Sequence, residues 1–311
     1  MNSSTPSYDV IIVGGSYAGL SAALVLGRSL RTVLVLDSGQ PANRQTPHSH
    51  GFLTRDGETP AQLAAIARQQ ALAYPTVQLR EATATRAERR ADGFSVTVDT
   101  GETVTARRIL LATGLKDILP DLPGFAECWG ISVLHCPYCH GYEVRNKTVG
   151  IMGNGHTGFE MAKRIQHWNP GLTLFTNGPS TLTDEQTAQL TQHGISIVET
   201  PIVAFQHQHG HLQALTLADE TAFPIDALYA HPTLLQTCDL AEQLGCELDE
   251  KGMVVVGEAG KTSVAGVFAA GDTHTMMRQV LIAAHNGMKA AVGINVELIE
   301  EEFEAISIPA A

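Results

Sequence analysis

The cysteines at 136 and 139, in the run His135-Cys136-Pro137-Tyr138-Cys139-His140, are the residues of this chain best suited to chemistry. Two intervening residues let the sulfurs meet with little backbone movement, so the pair can cycle between dithiol and disulfide. A helix turn opening over Tyr138–Gly141 would place its N-terminus at the thiols, lower their pKa and make attack on a disulfide feasible at neutral pH. Pro137 stiffens the loop and removes one donor. His140, with an ordinary pKa near neutrality, suits proton exchange with those thiols; a surface hydrogen-bonding histidine is the plainer alternative. The same string attaches c-type haem in exported proteins, but the polar start Met1–Pro6 carries no export signal. A zinc site from His135, His140 and the cysteines is disfavoured because adjacent Cys and His side chains point apart and no second C-x-x-C occurs; no metal is expected.

The elements that must position this pair are two glycine-rich turns. Tyr8–Val13 reads as a buried parallel strand running into Gly14-Gly15-Ser16-Tyr17-Ala18-Gly19, with a small and apolar helix over Leu20–Ser29. A further strand, Thr32–Leu36, ends at Asp37, 23 residues after Gly14, where an acid accepts hydrogen bonds from an adenosine ribose. The helix N-terminus offers N–H groups and a partial positive charge to a pyrophosphate. Ser16 replaces the middle glycine of the G-x-G-x-x-G fingerprint and crowds that approach slightly; a tight turn without ligand is the bland alternative. Two later strands end in Ala112-Thr113-Gly114 and in Gly271-Asp272.

The second turn, Gly153-Asn154-Gly155-His156-Thr157-Gly158, keeps all three glycines and follows the strand Thr148–Met152. A helix over Phe159–Trp168 and a strand over Leu172–Phe175 complete a second βαβ unit, 139 residues after the first. The next residues should discriminate a nicotinamide dinucleotide, by an acid for the ribose or cations for a 2′-phosphate. They read Thr176-Asn177-Gly178-Pro179-Ser180-Thr181, with neither. The loop is left open between a working NADPH site and a turn kept for the fold.

The remaining features set bounds. At 311 residues the chain is comfortable for two domains, and 44% apolar with 17% charged residues is ordinary for an α/β protein. A net charge of −12 argues against nucleic acid and anionic membranes. No apolar run approaches a membrane span. Five cysteines, only two closely spaced, suit a reducing cytoplasm better than a disulfide scaffold. Cys128 reads as a loop residue, while Cys238 and Cys246 read as buried small hydrophobes. His48 and His50 sit in a loop after the first unit, lining a flavin pocket or simply solvated. His207, His209 and His211 surround Gly210 in an expected exposed hairpin with weak metal affinity at most.

Taken in order, these motifs resemble the low-molecular-weight thioredoxin reductase family over about residues 8–297, with the pair Arg278-Gln279 opening the final helix. The resemblance implies an α/β fold of two Rossmann-like dinucleotide-binding domains, the second inserted in the first. It implies an FAD-binding domain over 1–117 and 242–297, an NAD(P)H-like domain with the cysteines over 118–241, and a tail over 298–311. It further implies a homodimer with non-covalent FAD and rotation of the inserted domain. FAD would be held by Gly14, Gly15, Ser16, Ala18, Gly19, Asp37, Ala112, Thr113, Gly114, Gly271, Asp272, Arg278 and Gln279. Gly153, Gly155 and Gly158 would form the second nucleotide site. Cys136 becomes the thiol that meets the substrate and Cys139 the thiol nearest the flavin.

His140 stands where the family has an acid, and Asn177-Gly178 where it has a basic pair. C-P-Y-C-H-G-Y-E and G-G-S-Y-A-G-L are more similar to a divergent branch that includes fungal dithiol oxidases and bacterial proteins with other electron donors. The expected activity is electron transfer between FAD and Cys136/Cys139 and on to a thioredoxin-like protein disulfide. The alternative is an oxygen-using oxidase of a small dithiol or protein dithiol without an NADPH site. A non-enzymatic sensor or metal-binding regulator is the third reading. The acidic end, Glu300–Ala311, reads as a frayed tail, with Phe303 a candidate to cover the flavin or a dimer contact.

Overall fold

The computed structural model describes residues 8–306; the start Met1–Pro6 and residues 307–311 of the acidic end lie outside the described residues. Packing divides the chain into a first unit, Met1–Arg44, Ala61–Lys116 and Leu234–Ala311, and a second, Gln45–Pro60 and Asp117–Thr233. The insertion thus falls at 116/117 and 233/234, against the sequence reading of 117/118 and 241/242. The loop 45–60 packs with the second unit, for which the sequence carries no signal.

The chain opens with β1 (Tyr8–Val13), α1 (Tyr17–Arg28), β2 (Val33–Asp37), α2 (Pro60–Leu72) and β3 (Val77–Glu81). Next come β4 (Ala84–Arg90), β5 (Gly93–Val98), β6 (Thr103–Leu111) and the connecting strand β7 (Leu115–Ile118). The inserted unit holds α3 (Phe125–Cys128), β8 (Val133–Leu134), α4 (Pro137–Val144), β9 (Val149–Met152), α5 (Gly155–Ile165), β10 (Thr173–Phe175), α6 (Asp184–Gln192) and β11 (Ser196–Val198). It continues with β12 (Ile202–Gln208), β13 (His211–Leu217), β14 (Ala222–Pro224) and β15 (Ala227–Ala230). The return passes along β16 (Thr233–Gln236), which pairs with β7, and then α7 (Leu240–Gln243), β17 (Val267–Ala269) and α8 (Val280–Glu304).

In the first unit, β3, β2, β1, β6 and β17 form a parallel sheet, and β4 and β5 add an antiparallel pair along the N-terminal part of β6. The run Val10–Val13 lacks polar residues because both sheet faces are covered. Val10 and Ile12 pack with Ala22 and Leu26 of α1 and Ile294 of α8, while Ile11 and Val13 pack with Phe94, Val96 and Leu240. The second unit has a parallel sheet ordered β11-β10-β9-β15-β8 and an antiparallel β12-β13-β14 sheet.

Three expectations are corrected. Both turn helices begin inside their glycine fingerprints, α1 at Tyr17 rather than Leu20 and α5 at Gly155 rather than Phe159, because the last fingerprint residues already form the first helical turn. Cys128 ends the short helix α3 and is fully buried in an aromatic core with Phe125 and Trp129, not in a loop. The tail does not begin at 298, since α8 runs on to Glu304. Its acidic run is neutralised by distant cations: Arg31 and Arg107 each lie 2.5 Å from Glu302, Arg108 2.8 Å from Glu301 and Lys261 3.0 Å from Glu297. Phe303 is exposed on that helix.

Candidate active site

In the second unit, β8 delivers the chain to His135, whose ring stacks on Trp129 at 5.8 Å, and then to α4. Cys136 is the N-cap of α4 in extended conformation, and Pro137 follows at the first helical turn, where its missing N–H costs nothing. Cys136 and Cys139 are joined as a disulfide with their Cα atoms 5.3 Å apart. The Cys139 N–H donates to Cys136 Sγ at 3.1 Å. Opening the bond would leave the Cys136 sulfur at the positive end of a helix with a donor aimed at it, which favours the thiolate. The other end of α4 is fixed by buried Asn169, whose side-chain amide donates to the Val144 carbonyl at 2.7 Å. Gly141 lets the Trp168 ring lie directly on the helix, and Tyr138, 73% exposed, meets the edge of the same ring.

His140 follows Cys139 on α4 and feels two groups, Glu143 of the same helix and His50 of the loop 45–60. Burial pushes its imidazole below the ordinary value; the Glu143 carboxylate pulls it back up and His50 adds to the depression. His50 comes from the loop 45–60. Its Nε2 lies 3.6 Å from Glu143 Oε1, and its Nδ1 lies 3.5 Å from Asp56 Oδ2. Asp56 also accepts the Gly51 N–H at 2.7 Å. On the inner side, the Tyr229 hydroxyl of β15 is fully buried without a hydrogen-bond partner among the described residues. Burial and the charge of Glu143 both hold it as a neutral phenol. Nothing local marks His50; only the packing of its loop places it here.

In the first unit, four stretches that the sequence singled out meet at the C-terminal ends of β1, β6 and β17, the usual crevice of a parallel sheet. Gly14 has φ +110, and a Cβ there would strike the Ala112 carbonyl oxygen at 2.2 Å. A Cβ on Gly15 would lie 2.6 Å from Asp37, so the acid packs against the turn. Asp37 accepts from Gly39 N–H at 3.1 Å and pairs with Arg68 at 3.1 Å. Ser16 caps α1 without using its side chain. Gly114, at φ +70, faces open space and donates to Thr273 Oγ1 at 2.8 Å, and that hydroxyl also meets Thr113 Oγ1 at 3.3 Å. Asp272 is paired with Arg278 at 3.1 Å, and Gln279 is the N-cap of α8. A cradle that a Cβ would fill, an acid beside the turn and a helix end without a side-chain cap fit FAD. Its pyrophosphate would lie along residues 14–19 and its ribose at Asp37.

The second glycine turn is arranged differently. Asn154 caps α5, its Oδ1 accepting from Gly155 N–H at 2.8 Å, Thr181 N–H at 2.8 Å and Thr181 Oγ1 at 3.1 Å. Its amide nitrogen donates to the Pro179 carbonyl at 2.9 Å. The loop 176–181 is thereby strapped to the helix start. Asn177 Oδ1 accepts from the Ile202 N–H at 2.8 Å instead of facing a ligand. No lysine or arginine occurs in 176–181, so this loop does not fit a 2′-phosphate.

The other histidines are not part of this site: His207 is the last but one residue of β12 and His211 the first of β13, with His209 in the turn between them. Cys238 and Cys246 pack against the first-unit core.

Comparison with known proteins agrees with this assembly. The model of the pyridine nucleotide-disulphide oxidoreductase family matches residues 8–291. Thioredoxin reductase tcpT of Claviceps purpurea is 32% identical over 94% of this chain and 95% of its own. A solved oxidoreductase from Agrobacterium tumefaciens is 36% identical with a TM-score of 0.88, over 94% of this chain and 99% of that one. A putative thioredoxin reductase TrxB from Bacillus anthracis is 32% identical with a TM-score of 0.91, over 95% and 100%. The chain therefore belongs to the pyridine nucleotide-disulphide oxidoreductases, in their low-molecular-weight thioredoxin-reductase-like branch, and is an FAD-dependent oxidoreductase acting on sulfur groups.

Proposed function

We propose that Cys136 and Cys139 exchange two electrons with a substrate disulfide or dithiol, and that FAD held by the first unit restores the pair. The observation that carries this reading is the disulfide at the start of α4, with the Cys139 N–H on Cys136 Sγ. With a disulfide substrate, the Cys136 thiolate attacks one substrate sulfur and expels the other as a thiolate, which takes up a proton. Cys139 then loses its proton to His140 and attacks Cys136 Sγ, re-forming the Cys136–Cys139 bond and releasing the second substrate thiolate. With a dithiol substrate the same steps run backwards. Bound FAD supplies a two-electron store. A thioredoxin-like protein or a small dithiol or disulfide is the partner, in line with the thioredoxin reductase names of the relatives.

The strapped loop at Asn154 favours one direction. With its cap occupied and no cation after β10, the second unit supports oxidation of a dithiol, with oxygen as the final acceptor, over reduction by NADPH. We also propose a homodimer in a reducing cytoplasm. Exposed Met288, Val292, Val296 and Ile299, spaced by three and four residues on α8, and the free thiols of Cys128, Cys238 and Cys246 support those readings.

Anaerobic titration of the holoenzyme with NADPH, NADH and then dithiothreitol, followed by oxidised-flavin absorbance, tests the direction. We expect dithiothreitol alone to bleach the flavin. Bleaching by a nicotinamide would restore a protein-disulfide reductase as the working direction. Indifference to all three would remove the proposed exchange altogether.

A further inference from the structure

We propose that His50 is a positioning residue for proton transfer at Cys136/Cys139: it engages Glu143 and so leaves His140 as the acceptor for the proton released there. This rests on the reading of the two cysteines as the exchanging pair. Thiol–disulfide exchange moves protons as well as electrons. A substrate dithiol must lose two protons as its sulfurs join, while Cys136 and Cys139 gain two as their bond breaks. The group that accepts must be neutral when the thiol arrives. His140 follows Cys139 directly, and its own helix supplies a threat to that neutrality. Glu143 is three residues on, on the same face, and an unopposed carboxylate there would hold a proton on His140.

The loop 45–60 answers that threat. His50 Nε2 lies 3.6 Å from Glu143 Oε1 and its Nδ1 3.5 Å from Asp56 Oδ2. A carboxylate thus stands near each ring nitrogen, and the Glu143 contact sets His50 against the carboxylate that pulls on His140. The loop is closed on itself to hold that pose: Ser49 N–H donates to Glu58 O at 2.8 Å, and Gly57 N–H to Ser49 O at 2.9 Å. His48 Nδ1 lies 2.9 Å from Gly57 O. The groups facing His140 are Glu143 on its own helix and His50 from the loop. Behind them stand Asp56, beside His50, and the uncharged Tyr229 of β15, towards Glu143. His50 and Glu143 therefore act on the His140 imidazole with opposite signs, His50 lowering its hold on a proton and Glu143 raising it.

That opposition is the test. The rate at which dithiothreitol reduces the oxidised holoenzyme is measured by stopped-flow flavin absorbance across about pH 5–9, the range in which an imidazole switches charge. The wild type should lose rate as His140 protonates at low pH. In H50Q the acidic limb should move up by roughly half to one unit, and in E143Q it should move down by a similar amount. H50Q/E143Q should return close to the wild-type position, and H50K, which places a cation opposite Glu143, should do so as well. Uniformly lower rates with an unmoved limb, shifts of equal sign in the two single variants, or a wild-type profile without an acidic limb would each overturn the proposal. C136S separates the two levels: if it is still reduced by the dithiol, the exchange assignment itself fails, whatever His50 does.

Discussion

The Cys136 sulfur has two functions in one place, because it both closes the disulfide and caps α4. That makes one substitution unusually clean. In C136S the serine hydroxyl still accepts from the Cys139 N–H, so the cap and the helix survive. We expect the variant to keep its flavin absorbance and melting temperature while losing thiol–disulfide turnover; retained turnover would show that the exchange takes another route. Burial also holds His140, His231 and His274 below the ordinary histidine value. Each then binds its proton more readily in the unfolded chain. Their contribution to stability is present above the unfolded pKa, near 6.5, and is lost as pH falls from there through the folded values. Melting temperature should therefore decline from about pH 6.5 downwards, and less steeply in a variant with His274→Gln. The Cys136–Cys139 disulfide was legible because both cysteines lie within four consecutive residues. The contact of His50 with Glu143 was not, because it joins residues of different elements that only the packing of the loop 45–60 brings near.

Elements were legible where a periodic pattern and a turn agree, as in β1 with its glycine turn, and misread where charge decides. The run Glu300-Glu301-Glu302 looks like a frayed end when read alone. In the fold it is the place where Arg31, from the loop before β2, and Arg107 and Arg108, from β6, find their carboxylates. Two arginines hold the Glu302 carboxyl at about 2. Its contribution to stability is therefore full above the unfolded carboxylate value and is lost only as pH falls towards 2. Because the side chain is 45% exposed, E302Q should cost only about 0.5–1 kcal/mol at neutral pH, read by urea denaturation. An equal cost at pH 2 would remove the ion-pair explanation. The strap at α5 is a neutral counterpart. N154A loses a helix cap together with the bonds to Thr181 and Pro179, and should destabilise by about 1–2 kcal/mol.

At the scale of the whole molecule, the order of motifs revealed an interrupted domain, but the exact crossing points depend on strand pairing that no local pattern records. The chain leaves the first unit along β7 and returns along β16, and those two strands pair with each other. Lys116 and Leu234, the last and first residues of the first unit around the insertion, lie on that ribbon. The parallel sheet, both of its hydrophobic clusters and every residue assigned to FAD belong to the first unit. A chain in which residues 117–233 are replaced by a short glycine–serine turn joining 116 to 234 should therefore still fold and bind FAD. It would lack both tryptophans, Trp129 and Trp168, so flavin absorbance and far-ultraviolet circular dichroism report its folding. It should stay yellow, and dithiothreitol should bleach it no faster than free FAD, because Cys136 and Cys139 are gone. Failure to bind FAD would mean that the first unit needs the insertion in order to fold. Rapid bleaching would place the dithiol reaction elsewhere, with Cys238 and Cys246 as the thiols that remain.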